Sequence, residues 1–241
     1  MRQKYSASAF GLVWVFLLPI LNIAIIWFAF EFGVRTTPRE GVPFILWLLT
    51  GMIPWMFFSE SVLSAATSIT EKSYLVKKVV FDFSMLPLIK LLVAGVLFTT
   101  LALIFVFVLA AYGFYPTWHW IQFAYYTIAL FALVMSAAWL LATITVFYRD
   151  CAQVVSLAVQ IGFWTTPIFW SVEKLPAHFR PYVELNPMAY IITGYRHVLF
   201  DQSNFWDDGA ALIKFWTLVI LFASLSKLVY GRAKNHFADV L

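Results

Sequence analysis

Residues 165–200, TTPIFWSVEKLPAHFRPYVELNPMAYIITGYRHVLF, decide how the rest of this 241-residue chain is arranged. This stretch, called segment 165–200 below, holds four of the ten prolines of the chain and lies between two apolar runs. It is too polar to lie in lipid and too apolar to be an ordinary loop. Within it, Asn186 followed by Pro187 predicts a helix start, with Asn as the N-cap and Pro at the first helical position.

The helix predicted after Asn186 is amphipathic. Its apolar face comprises Met188, Ile191, Ile192, Tyr195 and Leu199, and its polar face comprises Thr193, Arg196 and His197. Pro181 lacks an N–H and would clash with the carbonyl of Ala177, so we expect two short helices joined near residues 184–186. A helix over residues 186–200 would reach only about 22 Å, less than the roughly 30 Å of a bilayer core. Segment 165–200 is therefore predicted to be a re-entrant helical hairpin.

The composition predicts a membrane protein. Apolar residues make up 63% of the chain and charged residues only 12%, whereas a soluble domain carries about 25% charged residues. Six apolar runs are long enough to be spans, at about residues 9–30, 42–68, 85–111, 121–147, 152–170 and 210–230. The expected fold class is all-α integral membrane, with one transmembrane domain over residues 1–241 and the hairpin between helices 5 and 6.

Charge predicts the orientation of these spans. The loops on the side of the two termini contain eight Lys or Arg residues, and the opposite loops contain five. Because positive charge is enriched in cytoplasmic loops, both termini are predicted to be cytoplasmic and segment 165–200 to be extracytoplasmic.

The sequence excludes the common nucleotide-binding and hydrolytic motifs. It contains no GxxxxGK[ST], HExxH, CxxC pair or GxSxG, so it binds no ATP through a P-loop. Its four histidines are isolated and Cys151 is its only cysteine, which excludes an internal disulfide. The basic residues are spread among loops, which argues against nucleic acid as a partner. We expect no catalytic residue, metal site or cofactor in this chain.

Three features could carry function. In residues 74–82, hydrophobic and basic residues alternate, which indicates either an anchor for anionic lipid or a short helix that docks on a cytoplasmic partner. Segment 165–200 is either a fixed interfacial cap or a gate. Aromatic residues of the first and fifth runs face lipid or core, or else line a carbohydrate pathway, because sugars stack on aromatic rings. These aromatics include Trp14, Phe163, Trp164 and Trp170.

The order of four motifs resembles the membrane subunit of ABC-2-type exporters, in the branch that exports O-antigen, capsule or teichoic acid polymers. The motifs are RQKY at 2–5 with LVW at 12–14, LVKKVVF at 75–81, FYRD at 147–150, and LNPM at 185–188 with GYR at 194–196. The resemblance implies that two copies of the chain, in the bacterial inner membrane, bind two copies of a separate ATPase that carries ATP and Mg. It also implies that the exported substrate is a lipid-linked polysaccharide such as O-antigen.

The resemblance also implies roles for individual residues. The ATPase-coupling residues would be Leu75, Val76, Lys77, Lys78, Val79, Phe81, Arg149 and Asp150, and the exit gate would be Asn186, Pro187, Tyr190, Tyr195 and Arg196. Two alternatives stay open at this point: an ABC-2 exporter of a small lipid or drug, and a membrane enzyme of lipid-linked sugar metabolism.

Overall fold

The structure is a computed structural model, and it describes residues 13–34, 39–72 and 83–237. Within these residues the chain is helical and contains no β-strand. The α-helices are α1 (Val13–Phe28), α2 (Phe44–Ala66), α3 (Met85–Ala111), α4 (Gln122–Phe147), α5 (Cys151–Thr165), α6 (Arg180–Glu184), α7 (Pro187–Arg196) and α8 (Gly209–Ala233). One π turn (Ala29–Val34) extends α1 and another (His197–Asp201) extends α7.

Five of the described helices are long and apolar enough to cross a membrane: Val13–Val34, α2, α3, Trp118–Phe147 and α8. The all-helical, multi-pass membrane class is thereby confirmed. The fifth predicted run, residues 152–170, is helical only as far as Thr165, and residues 166–170 follow as bends. Because the 15 residues of α5 rise only about 22 Å, the count of six spans stays a prediction.

Helix α2 lies at the centre of the bundle. It packs against α1, α3, α4, α5 and α7, and most of its residues are buried. A Cβ added at Gly51 would lie 3.1 Å from the Cα of Ile168, so the missing side chain lets the bend after α5 approach α2 closely.

The two ends of the bundle collect different loops. At one end, Ile69, Leu86, Val146 and Phe237 form a small apolar cluster. At the other end, residues 201–205, which follow segment 165–200, contact Arg39 and Gln122.

Three contacts define this second end. The amide of Gln122 donates to Asn204 Oδ1 at 3.1 Å and its oxygen accepts from the backbone N–H of Phe205 at 2.7 Å. Arg39 forms an ion pair with Asp201, and the hydrogen bond to this carboxylate raises the pKa of Arg39 above its usual value. The residues that directly follow segment 165–200 are thus fixed at the end of the bundle opposite residue 237.

Candidate functional site

Segment 165–200 is built as two short helices with a break between them, as predicted. Helix α6 ends at Glu184 and α7 begins at Pro187. The predicted cap is also confirmed, because Asn186 Oδ1 accepts from the N–H of Met188 at 3.0 Å. The amide nitrogen of the same side chain donates to Thr166 Oγ1 at 2.8 Å. Asn186 therefore starts α7 and ties it to the bend after α5.

The amphipathic pattern of α7 is correct except at Arg196. The predicted apolar residues Met188, Ile191, Ile192, Tyr195 and Leu199 are all buried, and His197 is exposed. Arg196 was placed on the polar face, but its side chain is only 3% exposed. Position 196 follows Ile192 by four residues, so it lies above a buried residue on the helix surface.

The guanidinium of Arg196 is held by four hydrogen bonds. It donates to Thr50 Oγ1 at 3.2 Å and to the carbonyl oxygens of Trp47 at 3.2 Å, Pro167 at 2.5 Å and Ile168 at 2.8 Å. The carbonyls at 167 and 168 follow the end of α5, where backbone oxygens lack helical partners. Among residues 13–34, 39–72 and 83–237, no carboxylate forms an ion pair with Arg196. The side chain thus joins α2, α7 and the bend through neutral oxygens.

Tyr190 and Tyr195, two further predicted gate residues, fasten α7 to its neighbours. The hydroxyls of Tyr190 and Tyr125 lie 2.9 Å apart, and Trp216 of α8 donates its indole N–H to Tyr125 Oη at 2.9 Å. The hydroxyl of Tyr195 lies 2.9 Å from Thr127 Oγ1. Tyr190 also stacks on Phe215 of α8 at a centroid distance of 4.7 Å. Helix α7 is therefore anchored within the chain to both α4 and α8.

Residues 173–185, the part of the segment just before α7, are more exposed. Phe179, Tyr182 and Leu185 present large apolar surfaces, with Tyr182 72% exposed. The guanidinium of Arg180 is held against the preceding turn, because it donates to the carbonyl oxygens of Leu175 at 3.1 Å and Glu173 at 2.7 Å. The exposed apolar surface of the segment thus lies in α6 and in the residues on either side of it.

The predicted pathway aromatics fall into two groups. Phe163, Trp164 and Trp170 lie together at the end of α5, where Phe163 packs on Trp164 at a centroid distance of 5.5 Å and Trp170 donates its N–H to the carbonyl of Trp164 at 3.4 Å. Trp164 is 64% exposed and Phe163 is half-buried. Trp14 is distant from this group. The residue of the first span that reaches the group is Phe30, which stacks on Phe169. Sixteen helical residues separate Trp14 from Phe30, about 24 Å.

Of the predicted coupling residues, Arg149 and Asp150 are exposed in the turn between α4 and α5. This turn lies at the same end as Ile69 and Leu86. The others, Leu75, Val76, Lys77, Lys78, Val79 and Phe81, lie outside the described residues. No group of His, Cys, Asp or Glu in the described ranges could hold a metal ion.

Sequence reasoning missed the partners of these side chains. Thr50, Trp47 and Tyr125 lie in apolar runs and were not singled out. A threonine inside a span was a usable signal, since a polar side chain in a membrane helix commonly bonds to a neighbouring helix. Nothing local to Arg196 indicated which carbonyls it would meet.

The fold defines a multi-pass membrane protein with an internally fastened helical segment at one end of the bundle. The family model for the ABC-2 type transporter matches residues 1–200, and the chain belongs to this family. The resemblance carried by the four motifs is thereby confirmed, and the chain is a transporter membrane subunit rather than an enzyme.

Similar curated proteins cover the full chain. A protein named "O-antigen export system permease protein RfbA" from Klebsiella pneumoniae is 26% identical over 246 residues, which cover 100% of this chain and 91% of that protein. A protein of the same name from Myxococcus xanthus is 26% identical over 243 residues, which cover 99% and 91%.

Proposed function

We propose that this chain is the membrane subunit of an ATP-driven exporter that moves a lipid-linked polysaccharide, such as O-antigen, out across the bacterial inner membrane. The observation that carries the proposal is the similarity over the whole chain to proteins named as O-antigen export permeases. Since the sequence has no P-loop, ATP and Mg would be bound by a separate ATPase.

The assembly proposed is two copies of this chain with two copies of the ATPase. The ATPase would contact Arg149, Asp150 and residues 75–81, and the end of the bundle that carries Arg149 and Asp150 would be cytoplasmic. The bias of positive charge toward these loops supports that orientation.

The polymer would pass between two copies of the chain. Helix α5 supports this, because only Val155 of its 15 residues is buried. Its exposed face carries Val154, Leu157, Ile161 and Trp164. In a membrane, such a face can be covered by a second copy of the chain, by the polymer or by lipid.

Segment 165–200 would narrow the exit. Its helix α7 is the fixed part, because Asn186, Tyr190, Tyr195 and Arg196 all bond within the subunit. The exposed α6 is the part that can meet the polymer or the other copy. The re-entrant placement of the hairpin belongs to the same proposal.

The test is co-expression of this chain with a candidate ATPase subunit from the same genome, in a strain that lacks its own O-antigen permease. We expect the ATPase to copurify with the chain and polymer to appear on the cell surface. A Walker-A lysine variant of the ATPase is the control, and it should copurify without export. A complex that hydrolyses ATP and exports a small lipid or drug but no polymer would contradict the polysaccharide assignment.

A further inference from the structure

A cavity of about 410 Å³ lies between α3 and α4, with α2 as its floor. Thr50 and Ile53 of α2, Phe98 and Ala102 of α3, Thr127 of α4 and Tyr195 of α7 belong to its wall. No residue of α1 or α5, the helices whose aromatics were predicted to border the pathway, lines it. The cavity is therefore a feature separate from the proposed route of the polymer.

The hydroxyl groups in the wall are already hydrogen-bonded within the chain. Thr50 Oγ1 donates to the carbonyl of Trp47 at 2.6 Å, and Thr99 Oγ1 donates to the carbonyl of Gly95 at 2.9 Å. The hydroxyls of Thr127 and Tyr195 bond to each other at 2.9 Å. The remaining wall is mainly aliphatic and aromatic. A cavity of this kind favours a hydrocarbon, because a polar ligand would lose its hydration without gaining bonds.

The depth of the cavity matches one leaflet of a bilayer. Along α3 its wall runs from Phe98 to Leu109, and eleven residues of helix rise about 16 Å. One leaflet of a roughly 30 Å hydrocarbon core is about 15 Å thick. The deep limit is marked by packed phenyl rings, with Phe57 at 5.1 Å from Phe98 and 4.5 Å from Phe131 between centroids. A chain entering beside Trp120 at the other limit would thus end near the middle of the membrane.

We propose that this cavity binds one acyl chain of a phospholipid from the leaflet next to segment 165–200. The volume lies within the roughly 300–1,000 Å³ of ordinary ligand sites. The one-leaflet depth favours a phospholipid chain over a longer polyprenyl chain, which would have to continue past the phenyl rings. The acyl chain would contact Tyr195 and Thr50, and Thr50 is a hydrogen-bond partner of Arg196. Lipid would in this way stabilise the anchoring of α7.

The test is photolabelling of the purified full-length protein, reconstituted in nanodiscs of phosphatidylethanolamine and phosphatidylglycerol. A trace of the phosphatidylethanolamine carries a diazirine midway along one acyl chain, and adducts are located by peptide mass spectrometry. We expect adducts on cavity residues of α3. Ala102→Phe fills part of the cavity and should lower this labelling about tenfold. That factor corresponds to an acyl chain that buries roughly two fewer methylene groups in the cavity.

Two further variants keep the result interpretable. Ile104→Phe is the matched control, because Ile104 lies two residues away on α3, is 45% exposed and does not line the cavity. Its labelling should equal that of the unchanged protein. Ala102→Leu fills less volume and should give an intermediate loss if the phenylalanine variant folds poorly.

Three results would overturn the proposal. The first is equal labelling of Ala102→Phe and the unchanged protein, and the second is adducts that spread evenly over the exposed face of α3. The third is loss of the adducts on addition of a polyprenyl phosphate but not of unlabelled phospholipid, which would assign the cavity to a longer chain. The experiment uses neither ATP nor polymer, so its outcome is independent of the proposed export function.

Discussion

The guanidinium carbon of Arg196 lies 3.8 Å from the centroid of the Trp47 ring, and the same guanidinium donates to the Trp47 carbonyl at 3.2 Å. One tryptophan thus supplies both a π face and a backbone oxygen to a buried cation. A cation over an aromatic face gains up to about 2 kcal/mol when water is excluded. A buried arginine commonly pairs with a carboxylate. Among the described residues, the guanidinium of Arg196 is held instead by this ring contact, the Trp47 carbonyl and three further hydrogen bonds.

Arg196→Met should destabilise the protein by about 2–4 kcal/mol, because it leaves the carbonyls of Pro167 and Ile168 without donors in a buried place. Arg196→Lys should also destabilise, since an ammonium cannot reproduce the planar fork of a guanidinium. Thermal unfolding in detergent measures both. The neighbouring exposed His197 is the control, and His197→Ala should change stability by less than about 0.5 kcal/mol. Equal melting of Arg196→Met and His197→Ala would contradict the role given to Arg196.

Gly194→Ala should destabilise by at least about 1–3 kcal/mol, because overpacking forces the surroundings to shift. A Cβ at this position would lie 2.0 Å from the ring of Tyr126. Gly231→Ala is a matched control, since Gly231 is also helical but has open space around its Cβ position. There the change should stabilise by up to about 1 kcal/mol. The two variants are compared by thermal unfolding, and a loss at 231 as large as that at 194 would refute the steric explanation.

A crosslink between two subunits at Tyr182→Cys should form and should block export reversibly, if α6 narrows the exit. Position 182 is preferred to 190, because Tyr182 is exposed whereas Tyr190 bonds to Tyr125 in its own subunit. The native Cys151 is first replaced by serine. Tyr190→Cys serves as the control and should crosslink much more slowly. If the crosslink at 182 forms and export continues, the segment is a fixed cap.

If residues 75–81 contact the ATPase as proposed, Lys78→Glu should weaken its binding by about tenfold, or roughly 1.4 kcal/mol, because a cation at the interface would become a repulsive anion. Copurification at low and high salt measures the effect. Lys174→Glu carries the same charge change in the turn Val172–Lys174, at the end of the bundle opposite Arg149, and should leave binding unchanged. If Lys78→Glu leaves both binding and export unchanged, residues 75–81 are better explained as a lipid anchor.

Cysteine labelling should show that the end of the bundle that carries the C-terminal residue His236 is cytoplasmic. In a Cys151→Ser background, an impermeant maleimide should label Glu40→Cys in intact cells and should not label His236→Cys. Both positions are exposed, so access to the reagent depends on the side of the membrane. Permeabilised cells provide the control, in which both should react. Labelling of position 236 from outside would invert the proposed orientation.

The sequence by itself determined the features that depend on local pattern. Apolar run length predicted the helical membrane class, since a bilayer of fixed thickness requires long apolar helices. Pro181 and Asn186 predicted the break and the start of α7, because a proline ring and an N-cap act on backbone groups within a few residues. The buried face of α7 followed from its helical period.

Only the tertiary structure decided which distant groups meet these elements. Arg196 was predicted on a polar face, yet it is buried because Trp47 and Thr50, about 150 residues earlier, and the bend at 167–168 bring oxygens to it. The close approach of Tyr126 at Gly194 and the cavity between α3 and α4 likewise depend on how helices far apart in sequence pack. A local pattern gives the direction in which a side chain leaves its helix, but the partner that satisfies a buried charge is set by the neighbouring chain segments, which that pattern does not contain.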